Sequence, residues 1–142
     1  MKIVDVNVLL YAKFDFFPQH VAAFRWMEEN LRHSEPIGFP WETICGFLRI
    51  STNPRALSLP LSTDEAWAQI KAWLGAPASV VVVPTTRHLQ VLDRLLSIPE
   101  MNSRLVPDAQ LAALALEHQA VFVTFDADFR KFTGLEVECP GE

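Results

Sequence analysis

Short apolar segments alternate with longer segments of helical periodicity along the whole chain, and this alternation strongly constrains the fold. Strands are predicted over residues 2–4, 36–39, 80–83, 121–124 and 136–139. Apolar residues recur at helical spacing over residues 21–31, 41–53, 63–74, 89–96 and 108–119. Alternation of this kind is typical of a parallel sheet covered by helices on both faces. The sequence therefore predicts a single three-layer α/β/α domain over residues 1–142, with a mostly parallel central sheet.

Several helix and strand boundaries carry local signals. Ser62 and Glu65 have the spacing of a capping box, and Gly75 follows the last apolar residue of the same helix. Pro40 and Pro107 stand where two further helices are expected to begin. The valine run 80–83 predicts a strand that is buried on both faces.

Cysteine use and hydropathy exclude several classes of protein. The two cysteines, Cys45 and Cys139, are far apart and have no zinc-ligand spacing, so the sequence suggests neither a zinc site nor a disulfide framework. No window approaches about 18 uninterrupted apolar residues, and no signal peptide is recognisable at the start. We expect a soluble, cytoplasmic protein.

The charge of the chain does not by itself indicate a polyanionic partner. The formal net charge is -5, whereas nucleic-acid-binding domains usually carry a basic patch. A role on nucleic acid would therefore depend on a local group of basic residues, or on metal ions that neutralise an acidic site.

Five carboxylates share a placement that ordinary surface acids lack. Asp5, Glu42, Asp108, Asp126 and Asp128 each lie at the end of a predicted strand or in the first turn of a predicted helix. The carboxyl ends of parallel strands meet at one edge of a sheet, and the following helices begin there. We expect these side chains to converge on one site.

The same residues also have a structural explanation. A helix N-terminus favours a negative charge by roughly 0.3–1 kcal/mol, so capping accounts equally well for Glu42 or Asp108 taken alone. Asp126 and Asp128 alone fit a solvated turn. A non-enzymatic α/β binding module, whose acids serve as caps and turn residues, is therefore the alternative to an enzyme.

A phosphatase of the haloacid dehalogenase type can be set aside. An apolar strand followed by Asp126 and Asp128 superficially matches the nucleophile motif of those enzymes. That motif opens a long catalytic domain, whereas this chain ends 14 residues after Asp128, since its length is 142 residues.

The residue types of the predicted site indicate a hard metal ion. Oxygen ligands suit Mg²⁺ or Mn²⁺, whereas zinc prefers His or Cys, and the four histidines match no ligand spacing. The chain also lacks a GxSxG elbow and a P-loop. Divalent cations among carboxylates can activate water and stabilise the leaving oxygen of a phosphodiester, which is nuclease chemistry.

With these motifs in their order, the chain resembles the PIN-domain ribonucleases, and more narrowly the VapC toxins of bacterial toxin–antitoxin pairs. The similarity covers nearly the whole chain. It rests on four segments, namely residues 3–7, residues 41–55 with Glu42, residues 106–115 with Asp108, and residues 123–129 with Asp126 and Asp128.

The resemblance implies a metal-dependent endoribonuclease with Mg²⁺ or Mn²⁺ as cofactor. Asp5 and Asp108 would be the principal metal ligands and Glu42 would complete the acidic cluster, with all five carboxylates contributing to catalysis. Either Asp126 or Asp128 would face the metal, and Asp126 is favoured because it is closer to the strand end. Asn7 and Thr124 are expected to hold the carboxylates by hydrogen bonds.

The resemblance also implies partners: an RNA substrate, a cognate antitoxin protein and a second copy of the chain in a homodimer, with no membrane association. Arg49 and Arg55 are the candidates for RNA binding. Phe14, Phe16 and Phe17 are hard to bury together and are expected to form part of a partner groove. The tryptophans lie mostly on apolar helical stripes and are interpreted as core or interface residues.

Overall fold

The central sheet contains five parallel strands in the order β3-β2-β1-β4-β5. A computed structural model describes residues 1–142. The strands are β1 Lys2–Val4, β2 Ile37–Pro40, β3 Ser79–Val82, β4 Val121–Val123 and β5 Val137–Glu138. The helices are α1 Val6–Lys13, α2 His20–Asn30, α3 Trp41–Ser51, α4 Thr63–Leu74, α5 His88–Leu96 and α6 Val106–Glu117.

Alternate residues of the strands supply two separate cores, one on each face of the sheet. Val4 and Val123 pack with α1, α2, α3 and α4, whereas Ile3 and Phe122 pack with α5 and α6. This alternation follows from the pleat of a strand, in which successive side chains point to opposite faces. The predicted three-layer α/β/α architecture with a parallel sheet is confirmed.

Close packing between strands requires glycine at one position of β2. A Cβ atom on Gly38 would lie 2.4 Å from Val82 Cγ2 and 3.0 Å from Ile3 Cγ1. These distances are too short for an added methyl group, so the side chains of the neighbouring strands occupy the space above Gly38.

The boundary signals correspond to caps in the structure. Ser62 Oγ accepts a hydrogen bond from Glu65 N at 3.1 Å, and Ser62 N donates to Glu65 Oε1 at 3.0 Å, which confirms the capping box. Helix α6 begins at Val106, two residues before the predicted start, with Pro107 in its first turn. None of the helices is both long and apolar enough to cross a membrane.

The prediction for the valine run is wrong in one respect. The segment does form strand β3, but Val80 and Val81 are each 41% exposed and only Val82 is buried. Strand β3 lies at the edge of the sheet, where β2 is its one neighbour. An unbroken valine run does not distinguish a central strand from an edge strand, which explains the error.

Candidate active site

The crevice between β1 and β4 is where the connections of the sheet change direction. From β1 the chain continues to β2 and β3 on one side, whereas β4 and β5 lie on the other side. In open α/β sheets, binding sites form outside the carboxyl ends of the strands at such a switch point. Val4 pairs with Val123 across this crevice, and Asp5 N donates to Val123 O at 2.9 Å. The residues that follow the two strands are therefore held side by side.

Asp5 is buried at the end of β1, with only 6% of its surface exposed, and it caps helix α1. Its Oδ1 accepts from Val6 N at 2.7 Å, and its Oδ2 accepts from Thr124 Oγ1 at 2.7 Å. Asn7 Nδ2 donates to the same Oδ2 at 3.3 Å. The carboxylate is thereby fixed from the end of β4 and from the first turn of α1.

Thr124 and Asn7 connect this carboxylate to the turn that follows β4. Thr124 Oγ1 accepts from Asp126 N at 3.0 Å and from Asn7 Nδ2 at 3.2 Å. Asn7 Oδ1 accepts from Phe125 N at 3.2 Å. One hydroxyl and one amide therefore set the spacing between Asp5 and Asp126.

Asp126 and Asp128 have different surroundings. Asp126 caps the short 3₁₀ turn Ala127–Lys131, and its Oδ1 accepts from Asp128 N at 2.9 Å. The Asp128 carboxylate lies 3.4 Å from Lys131 Nζ. Asp126 is thus anchored at the strand end, while Asp128 already has a cationic neighbour on the surface.

Asp108 lies in the first turn of α6, close enough to the other carboxylates to be affected by their charge. Burial raises the pKa of its carboxyl to about 6, and the negative charges of Asp126, Asp5 and Asp128 contribute in that order. Arg104 opposes the increase. The structure therefore brings four of the five predicted carboxylates into one electrostatic cluster.

Burial also raises the pKa of Asp5. The hydrogen bonds from Thr124 and Val6 act in the opposite direction, and the charge of Asp126 adds to the increase. Asp5 and Asp108 thus have raised pKa values because both are desolvated by burial and both lie near other negative charges. A cation between them would relieve both effects.

Glu42 lies at the rim of this cluster. It is exposed in the first turn of α3, and its Oε1 accepts from Gln110 Nε2 at 3.0 Å. The adjacent Thr43 donates through Oγ1 to Val4 O at 2.8 Å. These two bonds attach the start of α3 to α6 and to β1. Gln110 was not predicted as a site residue, and the one signal for it is its position two residues after Asp108.

The donor set fits a hard cation by charge and atom type. The cluster presents carboxylate oxygens, together with the hydroxyl of Thr124 and the amide of Asn7, and contains no His or Cys. In the structure no three His, Cys, Asp or Glu side chains are placed together to hold a metal ion. The carboxylates would have to turn towards a common centre to act as ligands.

Arg49, one of the two predicted RNA-binding arginines, lies in the last turn of α3, and Arg55 follows that helix. Arg49 is seven residues beyond Glu42 on α3, which corresponds to about 10 Å along the helix axis. Arg49 and Arg55 are both exposed, and neither forms an ion pair. Arg104 is instead the arginine whose charge acts on Asp108.

Comparisons with known proteins agree with this fold and with the predicted family. A family model described as PIN domain matches residues 2–135. Ribonuclease VapC37 of Mycobacterium tuberculosis is 41% identical over 140 residues, which is 99% of this chain and 97% of that protein.

Two solved structures show the same fold at low sequence identity. One is VapBC2 from Rickettsia felis bound to a DNA fragment from their promoter, with a TM-score of 0.72, 12% identity and 98% coverage of both chains. The other is M. tuberculosis VapC20, described as a Sarcin-Ricin loop cleaving toxin. It has a TM-score of 0.68 and 17% identity, and the match covers 95% of this chain and 96% of that one.

The raised pKa of Asp108 predicts a pH-dependent stability in the absence of metal. The folded state holds more protons than the unfolded state between about pH 4 and pH 6, so stability should fall as the pH rises through that window. At pH 7.5 the free energy of unfolding of Asp108→Asn should therefore exceed that of wild type by on the order of 1 kcal/mol after solvent screening. The variant should melt at a correspondingly higher temperature. The difference should shrink towards pH 4.

Thermal melts without added metal across this pH range measure the effect. Asp93→Asn, which changes an exposed carboxylate on α5, is the matched control and should not alter the pH dependence. A wild type more stable than Asp108→Asn at pH 7.5 would show that Asp108 is not under electrostatic strain.

Proposed function

The chain belongs to the PIN domain family and, within it, to the VapC ribonucleases, and on that premise we propose that it is the endoribonuclease toxin of a type II toxin–antitoxin pair. The observation that carries the proposal is the cluster of Asp5, Asp108, Asp126 and Asp128 at the switch point of the sheet. The substrate is RNA, and the reaction is hydrolysis of its phosphodiester bonds.

The binding-module alternative does not account for this cluster. Asp5 does cap α1 and Asp126 does cap a turn, so the capping role is genuine for these two residues. Caps alone do not require three further carboxylates so close to Asp108 that their charges raise the pKa of its carboxyl. A site that binds a cation does require this arrangement.

Mg²⁺ or Mn²⁺ is the proposed cofactor, held by Asp5, Asp108 and Asp126. When bound, the ion supplies charge neutralisation and activation of water near the phosphodiester. Asp126 is preferred to Asp128 as a ligand because its backbone is fixed by Thr124, whereas the Asp128 carboxylate lies beside Lys131. Asp128 and Glu42 complete the acidic rim of the catalytic group.

The remaining residues orient the carboxylates. The single Thr124 hydroxyl donates to Asp5 and accepts from the backbone of Asp126, so it fixes the distance between the two acids. Asn7 bonds to Asp5, Thr124 and Phe125 and therefore joins α1 to the turn after β4. Outer contacts of this kind typically affect metal affinity or activity by about 10–100-fold.

The antitoxin is expected to dock in a groove between α2 and α4. Cavities of about 370 and 520 Å³ adjoin there and share Glu28, Gln69 and Trp73. Phe24, which is 48% exposed, lines the first cavity.

The aromatic segment predicted to face a partner is only partly exposed: Phe16 is 54% exposed, whereas Phe14 is buried. The structural similarity to VapBC2 supports an antitoxin partner for this chain.

A homodimer is proposed through the edge of the sheet. Val80, Val81 and Val83 are between 41% and 52% exposed, and Leu89 on α5 is 78% exposed. Apolar side chains in this arrangement favour burial against a second protein surface.

Cleavage of RNA by matched variants tests the enzymatic proposal. Asp5→Asn and Asp108→Asn keep the shape of the side chain and remove its charge. Loss of a residue that only orients a metal ligand typically costs about 10–100-fold, so loss of a ligand itself should lower the cleavage rate by at least that factor. Asp93→Asn should cleave RNA as wild type does. Full activity in both site variants would refute the mechanism, and cleavage of DNA in place of RNA would refute the substrate class.

Purification and growth assays test the partners. Light scattering of the purified chain alone should give a molar mass twice that of the 16.0 kDa chain. A measured mass of 16.0 kDa would contradict the dimer. The antitoxin is expected to be encoded by a small reading frame adjacent to the gene, and its co-expression should relieve growth arrest. Phe24→Glu should abolish that relief, whereas Val21→Glu, which changes an exposed residue outside the groove, should not.

A further inference from the structure

Trp41 is the exposed aromatic side chain next to the acidic cluster. It is the first residue of α3 and is 48% exposed, although its position on an apolar stripe predicted a core or interface role. We propose that Trp41 is a stacking platform for a base of single-stranded RNA beside the cleaved phosphodiester, an inference that rests on the proposed ribonuclease function.

Hydrogen bonds made by the next two residues, Glu42 and Thr43, hold Trp41 near the site. Glu42 accepts from Gln110, which lies two residues after Asp108 on α6. Thr43 donates to the carbonyl of Val4, the residue before Asp5. The start of α3 is thus attached beside both principal carboxylates, and Pro40 in an extended conformation fixes the chain on the other side of Trp41.

The other tryptophans differ from Trp41 in burial or place. Trp26 is 7% exposed and donates through Nε1 to Glu138 Oε1, and Trp73 packs against Phe47 with ring centroids 5.2 Å apart. Trp67 is 39% exposed but lies on α4, a helix that carries none of the predicted site residues. Trp41 stacks on no aromatic ring of the chain, and about half of its surface is open to a ligand.

A second apolar side chain accompanies Trp41 across the site. Val106 is 45% exposed on α6, one turn before Gln110, so the two residues lie on the same side of that helix. The Glu42–Gln110 hydrogen bond joins the two helices that carry Trp41 and Val106. An apolar border of this kind suits the face of a base better than it suits a phosphate.

Electrostatics explains why a stacking contact is needed at this place. The cluster is acidic and the chain has a net charge of -5. Arg104 and Lys131, which lie beside the cluster, already interact with Asp108 and Asp128, so phosphates gain little attraction close to the carboxylates. Stacking of a base on an aromatic ring contributes without any charge and tolerates different bases. It can therefore hold the substrate where the charge of the protein repels it.

Binding of short single-stranded RNA to variants that do not cleave tests this proposal. Fluorescence anisotropy would compare Asp108→Asn with the double variants that add Trp41→Ala, Trp41→Phe or Trp67→Ala, with millimolar Mg²⁺ present. Trp41→Ala should weaken binding about tenfold or more, Trp41→Phe should retain most of the affinity, and Trp67→Ala should have no effect. Circular dichroism and melts of each variant verify folding.

Salt dependence separates stacking from phosphate contacts. The slope of log K against log salt should be unchanged in Trp41→Ala, because no phosphate contact is lost. In Arg49→Ala or Arg55→Ala, by contrast, the slope should become shallower by about 0.7 for each phosphate contact removed. An unchanged slope in both variants would show that neither arginine contacts an RNA phosphate.

The outcomes distinguish this inference from the proposed function. Equal RNA binding by Trp41→Ala and its parent overturns the stacking role, even if RNA cleavage by wild type persists. A Trp41→Ala variant that loses dimerisation or antitoxin binding while keeping RNA affinity shows that the side chain serves a protein interface instead. Absence of RNA cleavage and RNA binding in the wild type rejects the ribonuclease itself.

Discussion

The parallel pairing of β1 with β4 is the interaction on which the candidate site depends. It joins the first strand of the chain to a strand more than a hundred residues later and aligns Val4 with Val123. Asp5 and Thr124 follow these residues directly, so their hydrogen bond of 2.7 Å is a consequence of strand register. A shift of one residue would turn the side chains to opposite faces and separate them.

This arrangement holds together charges that repel one another. Asp5, Asp108 and Asp126 are kept close by two hydrophobic cores, by the caps of α1 and of the turn after β4, and by the bonds of Thr124 and Asn7. Burial, with a smaller contribution from the neighbouring negative charges, raises the pKa of Asp5 and of Asp108. Local strain of this kind is common at functional sites, because a ligand relieves it.

Much of the fold could be predicted because local signals agree with the tertiary structure, as at the capping box of Ser62 and Glu65 and at Pro107. Helix α1 was not predicted, because its apolar residues surround the helix and do not form a stripe. Its one boundary signal is Asp5, which caps the helix and was interpreted as a site residue. The edge position of β3 and the Glu42–Gln110 bond depend on strand order and helix docking, which periodicity does not contain. The carboxylate positions followed from strand ends, and the hypothesis that they form a ribonuclease site came from the family resemblance.

The proposed ribonuclease activity requires that the carboxylate cluster bind a divalent cation. Thermal unfolding with EDTA and with excess Mn²⁺ tests it most directly, because a ligand at a hundredfold excess over its Kd should stabilise the folded state by about 2.7 kcal/mol. The Tm of the wild type should increase clearly with Mn²⁺, whereas that of Asp5→Asn should change little. Coincident melts of the wild type with EDTA and with Mn²⁺ would contradict it.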